Sequence, residues 1–125
     1  MANEAKPLFR PGADVTVLTT AAVTGKTFVG VSATVDASTG MIKVATATGA
    51  AKAFGVASRD IASGDIGHIL RGGIVNVTAG GAITAGAQVE VGSGGKAVTL
   101  ASGVPVGTAL STGSNNNDVL VALDL

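Results

Sequence analysis

The sequence predicts an all-β fold, a compact β-barrel or sandwich, on three observations. Short runs of Val, Ile, Thr and Leu alternate with Gly, Ser, Asn and Asp clusters along the whole chain, the pattern of many short strands joined by tight turns. The runs recur about every ten residues, a spacing that suits barrels and sandwiches. Signals for helices are nearly absent, and the apolar content of 46% is spread among 19 glycines and many threonines. No apolar stretch approaches the roughly 20 residues of a membrane-spanning helix.

The elements follow in order. Residues 1–12, MANEAKPLFRPG, carry Pro7 and Pro11 and no alternation, so they read as an arm outside the folded body; residues 13–125 read as a single β domain. Strands are expected at 15–18, 27–31 and 41–45, with a Thr24–Thr27 turn before the second and an Asp36–Gly40 turn before the third. They continue at 53–57, 67–70 and 74–78, the last two separated by the Arg71-Gly72-Gly73 step. The remaining runs are 89–91, 97–100, 106–110 and 119–123, with glycine turns at 92–95 and a polar Asn115–Asp118 loop. Glycine suits the positive φ that such hairpins demand.

An internal repeat underlies this order. A shift of 60 residues places Val15, Val17, Ala22, Val23, Thr24, Val29 and Val31 on Val75, Val77, Ala82, Ile83, Thr84, Val89 and Val91. A shift of 56 then matches Ile42, Val44 and Ala45 to Val98, Leu100 and Ala101, and the Gly55/Ala57 pair corresponds to Gly107/Ala109. Two related β-meanders, residues 15–70 and 75–123, are expected to pack together or close around one core, because neither alone buries its apolar face.

Composition removes several classes of function. Eight Lys and Arg balance eight Asp and Glu, which argues against nucleic acid, whose phosphates need neutralising. The absence of Cys excludes disulfide scaffolds, thiolate metal sites and cysteine nucleophiles. Three Phe with no Trp or Tyr leave few stacking platforms for sugars or bases and predict an aliphatic core. The N-terminus lacks the cationic start and apolar run of a secretory signal.

No motif carries chemistry. His68 is the single histidine; with Ser58, Ser63, Asp60 and Asp65 nearby but no G-x-S-x-G elbow, it reads as a polar residue on the outer face of a strand. Three or four converging ligands, the minimum for a transition metal, are not offered, so no cofactor or metal is expected. Thr24-Gly25-Lys26-Thr27 ends like a phosphate loop, yet Thr20 stands where the first glycine belongs and a strand-like run follows where a helix is needed. It reads as a turn with a solvated lysine. Arg71 and the Arg59-Asp60 pair read chiefly as structural or solvated groups. No acid/base carboxylate pair is evident, and no enzyme activity is expected.

The ordered run F-R-P-G (9–12), K-A-F-G-V-A (52–57), S-G-D (63–65), L-R-G-G-I-V (70–75), A-I-T-A-G-A-Q-V (82–89) and V-G-T-A-L (106–110) resembles the small capsid cement or decoration proteins of tailed bacteriophages. Residues 52–75 are also similar in layout to the lambda-type head decoration protein. The resemblance implies a β-tulip or β-clip domain assembling as homotrimers on the outside of the expanded capsid. The major capsid protein and other copies of the chain would be its partners, and nucleic acid and membrane would not. It further implies a virion location after synthesis in the bacterial host cytoplasm. Leu8 and Phe9 are oddly apolar for a free arm, so Lys6, Pro7, Leu8, Phe9 and Arg10 are the expected capsid-binding residues. Another virion part, such as a tail-tube or head-completion protein, is the alternative; a glycan-binding β-module fits less well.

Overall fold

The structure, a computed structural model, describes residues 13–125. It contains ten strands: β1 (Asp14–Thr19), β2 (Phe28–Ala33), β3 (Ile42–Thr46), β4 (Gly55–Ala57), β5 (Ile66–Leu70), β6 (Ile74–Thr78), β7 (Gln88–Val91), β8 (Ala97–Thr99), β9 (Gly107–Ala109) and β10 (Asp118–Leu123). Every expected strand is present, with ends moved by a residue or two. The Gly92–Gly95 turn is a single 3-10 turn over Ser93–Gly95 in which Gly94 and Gly95 have φ of 70° and 75°.

Period-two patterning sets the inner face. In β1, Val15 and Val17 are buried while Asp14 and Thr16 are exposed, and in β10 Val119 and Val121 are buried between exposed Asp118 and Leu120. The first five strands close into a barrel in the order β1-β3-β2-β4-β5; the last five form a sheet in the order β6-β10-β9-β7-β8. This differs from the plain meanders expected. Consecutive strands pair only in the β2–β3, β4–β5, β7–β8 and β9–β10 hairpins. β1 instead runs parallel to β3 and antiparallel to β5, satisfying both edges that an open meander would leave unpaired.

One hydrogen-bond plan serves both halves. Val15 and Val17 face Ile69 and Gly67 across β1–β5, as Val75 and Val77 face Val121 and Val119 across β6–β10. The isolated bridge Val23–Ile61 has its counterpart in Ile83–Gly113. In the third strands the sequence comparison needs correction. Val29 faces Thr46 and Val89 faces Thr99, so β8 matches β3 at an offset of 53, where the shift of 56 had set Val98 on Ile42. Backbone pairing fixes this register, whereas small apolar residues recur too often to do so.

The buried side chains form two clusters. Val15, Val17, Val23, Val29, Val44, Ala57, Ile61 and Ile69 fill the barrel. The second cluster takes Val77, Ile83, Val89, Val91, Val106, Val119 and Val121 from the second half together with Phe28, Ala47, Ala53 and Val56 from the first half. Among the described residues Phe28 is the one fully buried aromatic. Its counterpart in the second half, Gln88, is exposed, because no third half covers that face.

Candidate functional site

The expected capsid-binding residues Lys6, Pro7, Leu8, Phe9 and Arg10 lie outside the described residues. The described chain begins at one mouth of the barrel, where the Ala13 carbonyl accepts the Arg71 backbone N–H at 2.6 Å. Arg71 follows β5 directly, and its side chain folds across that mouth. Nε donates to the Phe54 carbonyl at 2.8 Å, and the guanidinium carbon lies 4.5 Å from the centre of the Phe54 ring. That geometry is a cation–π contact that holds both side chains in place. Together with Val31, Lys52 and Ala53 they line a groove of about 400 Å³. Arg71 therefore binds a backbone carbonyl and a ring within its own chain.

His68 stands exposed on the outer face of β5, as expected. Its Nε2 is 3.5 Å from Asp14 Oδ2, both side chains about half-exposed. Ser58 Oγ donates to the His68 carbonyl at 2.8 Å, so the hydroxyl is engaged by backbone and does not address the imidazole. A nucleophile–base pair needs the opposite arrangement. Arg59 donates to the carbonyls of Asp60 and Ile66 at 3.0 Å each, while Asp60 Oδ1 accepts the Gly25 N–H at 2.8 Å. These groups line a shallow hollow of about 510 Å³ with Thr24 and Asp65, and their bonds tie the 58–66 connection to the Thr24–Thr27 turn.

Lys26 departs from the solvated lysine expected. It occupies the left-handed region at φ 61° and pairs with Asp118 at 2.9 Å, linking the two halves. In the Asp36–Gly40 turn, the Thr39 hydroxyl and N–H both donate to Asp36 Oδ2, at 2.9 and 3.0 Å. These bonds, then the nearby Lys43 ammonium, hold the Asp36 carboxyl below its usual range. Among the described residues no group of three or more His, Asp or Glu is placed to hold a metal ion, and no helix is long and apolar enough to cross a membrane.

A barrel and sheet built on one plan, with a cationic apolar groove at one mouth of the barrel and polar side chains turned to backbone, describe a structural binding module. Residues 9–125 match the family model described as phage cement protein, and the chain belongs to that family. The family places it among structural proteins of the phage capsid that decorate and stabilise the head. No curated protein matches the chain. Among solved structures it is similar to the head fiber gp8.5 N base of bacteriophage phi29, with a TM-score of 0.74 and 21% identity over 89% of this chain and 92% of that one. That likeness shows the fold. Val31, Lys52 and Phe54 were not among the sequence-predicted site residues; the K-A-F step in 52–57 was visible, but its meeting with Val31 and Arg71 depends on the barrel.

Proposed function

We propose that the protein binds the outer surface of the expanded head as a homotrimer, with residues 1–12 as an arm whose Lys6–Arg10 segment lies on major capsid subunits. Residues 13–125 act as one β domain, a product of internal duplication. Membership of the cement family carries the reading. The arm is supported by the character of Leu8 and Phe9, each of which contributes on the order of 1.5–3 kcal/mol when buried, several times the effect of a rim ion pair from Lys6 or Arg10.

Self-association is supported by the outer face of the second sheet. Ile74 and Leu120 are 60% and 37% exposed there, at the places where the barrel carries Asp14 and His68. Leu110 adjoins them, its N–H donating to the Leu120 carbonyl at 2.7 Å. Ile74, Leu110 and Leu120 thus give the outer face of the second sheet an apolar patch, which suits contact with further copies.

The test uses heads stripped of the protein. The full chain and a Leu8→Ser/Phe9→Ser variant are compared for head occupancy by sedimentation, for fold by circular dichroism and for mass by light scattering. An intact β spectrum with much reduced occupancy is expected of the variant. Unchanged occupancy moves the capsid contact to the β body, and a strictly monomeric chain with no trimeric density on heads refutes the homotrimer.

A further inference from the structure

Resting on that reading, we infer that the groove beside Val31 receives an extended segment of a neighbouring capsid subunit, added as a strand to β2. The segment would set an apolar side chain on Val31 and Phe54 and a carboxylate toward Lys52 and Arg71.

The second half supplies the template. Along one side of β7 the carbonyls of Ala87, Val89 and Val91 accept N–H groups from Ala109, Val106 and Ala50, at 2.8, 2.9 and 2.8 Å. Along the matching side of β2, Thr27 and Val29 accept from Ala57 and Phe54, at 3.0 and 2.7 Å. Val31 is next in the series, and the strand pleat sends its N–H and C=O the same way. Among the described residues nothing donates to it. Val91 is 1% exposed beneath the segment around Ala50, whereas Val31 is 64% exposed. Among the described residues the barrel thus leaves open a strand position that the second half fills from within the molecule.

Charge and supply decide the occupant. Among the described residues the charged groups lining the groove, Lys52 and Arg71, are both cationic and no carboxylate joins them, so an acidic segment is favoured there. A second copy cannot bring the piece that completes β7. Ala50 is already held in its own molecule, its carbonyl accepting the Val104 N–H at 3.1 Å as its N–H serves Val91. Strand addition gives affinity through the backbone and specificity through the side-chain pockets.

The experiment is hydrogen exchange read by mass spectrometry on the full chain, free and seated on stripped heads, together with head occupancy of Lys52→Glu and Lys52→Arg. The peptide spanning Val31 is expected to exchange freely in the isolated protein and to slow about tenfold or more on heads. Lys52→Glu is expected to weaken head binding about tenfold, with Lys52→Arg close to wild type. Binding with no change at the Val31 peptide overturns this inference and leaves the cement reading standing; failure of the wild-type chain to bind heads overturns both. Slow exchange at Val31 already in the free chain, relieved by Leu8→Ser/Phe9→Ser, assigns the groove to the chain's own arm and overturns the capsid segment as occupant.

Discussion

The two halves follow one hydrogen-bond plan and finish it differently. In the first, β1 pairs with β3 over three residues, Val17–Ile42, Leu18–Lys43 and Thr19–Val44, and the barrel closes. In the second, the equivalent contact shrinks to the single parallel bridge Ala79–Ala97. The cause is the connection before the third strand. Between β2 and β3 it is long enough to bring Ile42 and Lys43 beside β1, whereas the tight turn between β7 and β8 has no residues to spare. The gap is covered by the first half: Thr78 N–H donates to the Lys26 carbonyl at 2.8 Å, and Phe28 enters the second core. Closure of a small barrel therefore depends on a few residues of loop, and an unclosed one needs a neighbour.

If Phe28 completes the second half, its removal should have the largest effect. Phe28→Ala is expected to cost about 3–5 kcal/mol, with exchange protection lost in β6–β10 before β1–β5. Urea denaturation with residue-resolved hydrogen exchange measures both, and equal loss in the two halves would mean that the barrel depends on Phe28 as much as the sheet does.

A second variant exchanges a packing detail between the halves. A Cβ at Gly67 would run into the Ile61 side chain, and one at Gly113 would run into Val119. The halves thus fill the same space from opposite partners, Ile61 over Gly67 and Val119 over Gly113. Gly67→Val alone should destabilise by about 1–3 kcal/mol through overpacking. Adding Ile61→Gly, the arrangement of the second half, should recover most of that loss in the same denaturation assay. A double variant no better than the single one would break the equivalence.

Lys26 and Gly86 occupy matching turns, with φ of 61° and 91°. Lys26→Gly relieves a left-handed residue, worth about 1–2 kcal/mol, and loses a half-exposed ion pair worth about 0.2–1 kcal/mol. A small net gain in stability is expected. Asp118→Asn, which removes only the pair, should lower stability slightly, and less so at high salt. Thermal melts at two ionic strengths separate the contributions.

The smallest effect concerns the Asp36 turn, which the second half lacks. Because the folded carboxyl titrates below its unfolded value, its contribution is present above the unfolded pKa and is lost as pH falls through the folded one. The Thr39 amide should lose exchange protection over that acid range, and Asp36→Asn should remove the pH dependence. A Thr39 amide indifferent to pH would show that the backbone turn alone holds the loop.

Much of this was legible in the chain. Short runs of Val, Ile, Thr and Leu placed all ten strands, and glycine with Asp or Asn placed the turns, since both signals are local. The exposed place of His68 was equally plain, because a polar side chain in a period-two run points outward. The Val31 groove was hidden. It is lined from β2, from the residues leading into β4 and from the residue after β5, and only closure of the barrel brings these together. Phe28 was hidden for a related reason: its burial comes from the other half.

The sequence by itself determined the β character, the ten strands and the correspondence of the two halves. These depend on residue type and short-range spacing, which the backbone reads directly. Tertiary structure alone decided the strand order, the third-strand register, the closing of one half and not the other, and which valine stays exposed. Each of those depends on pairing between distant segments, where a difference of a few loop residues outweighs the preference of any single side chain.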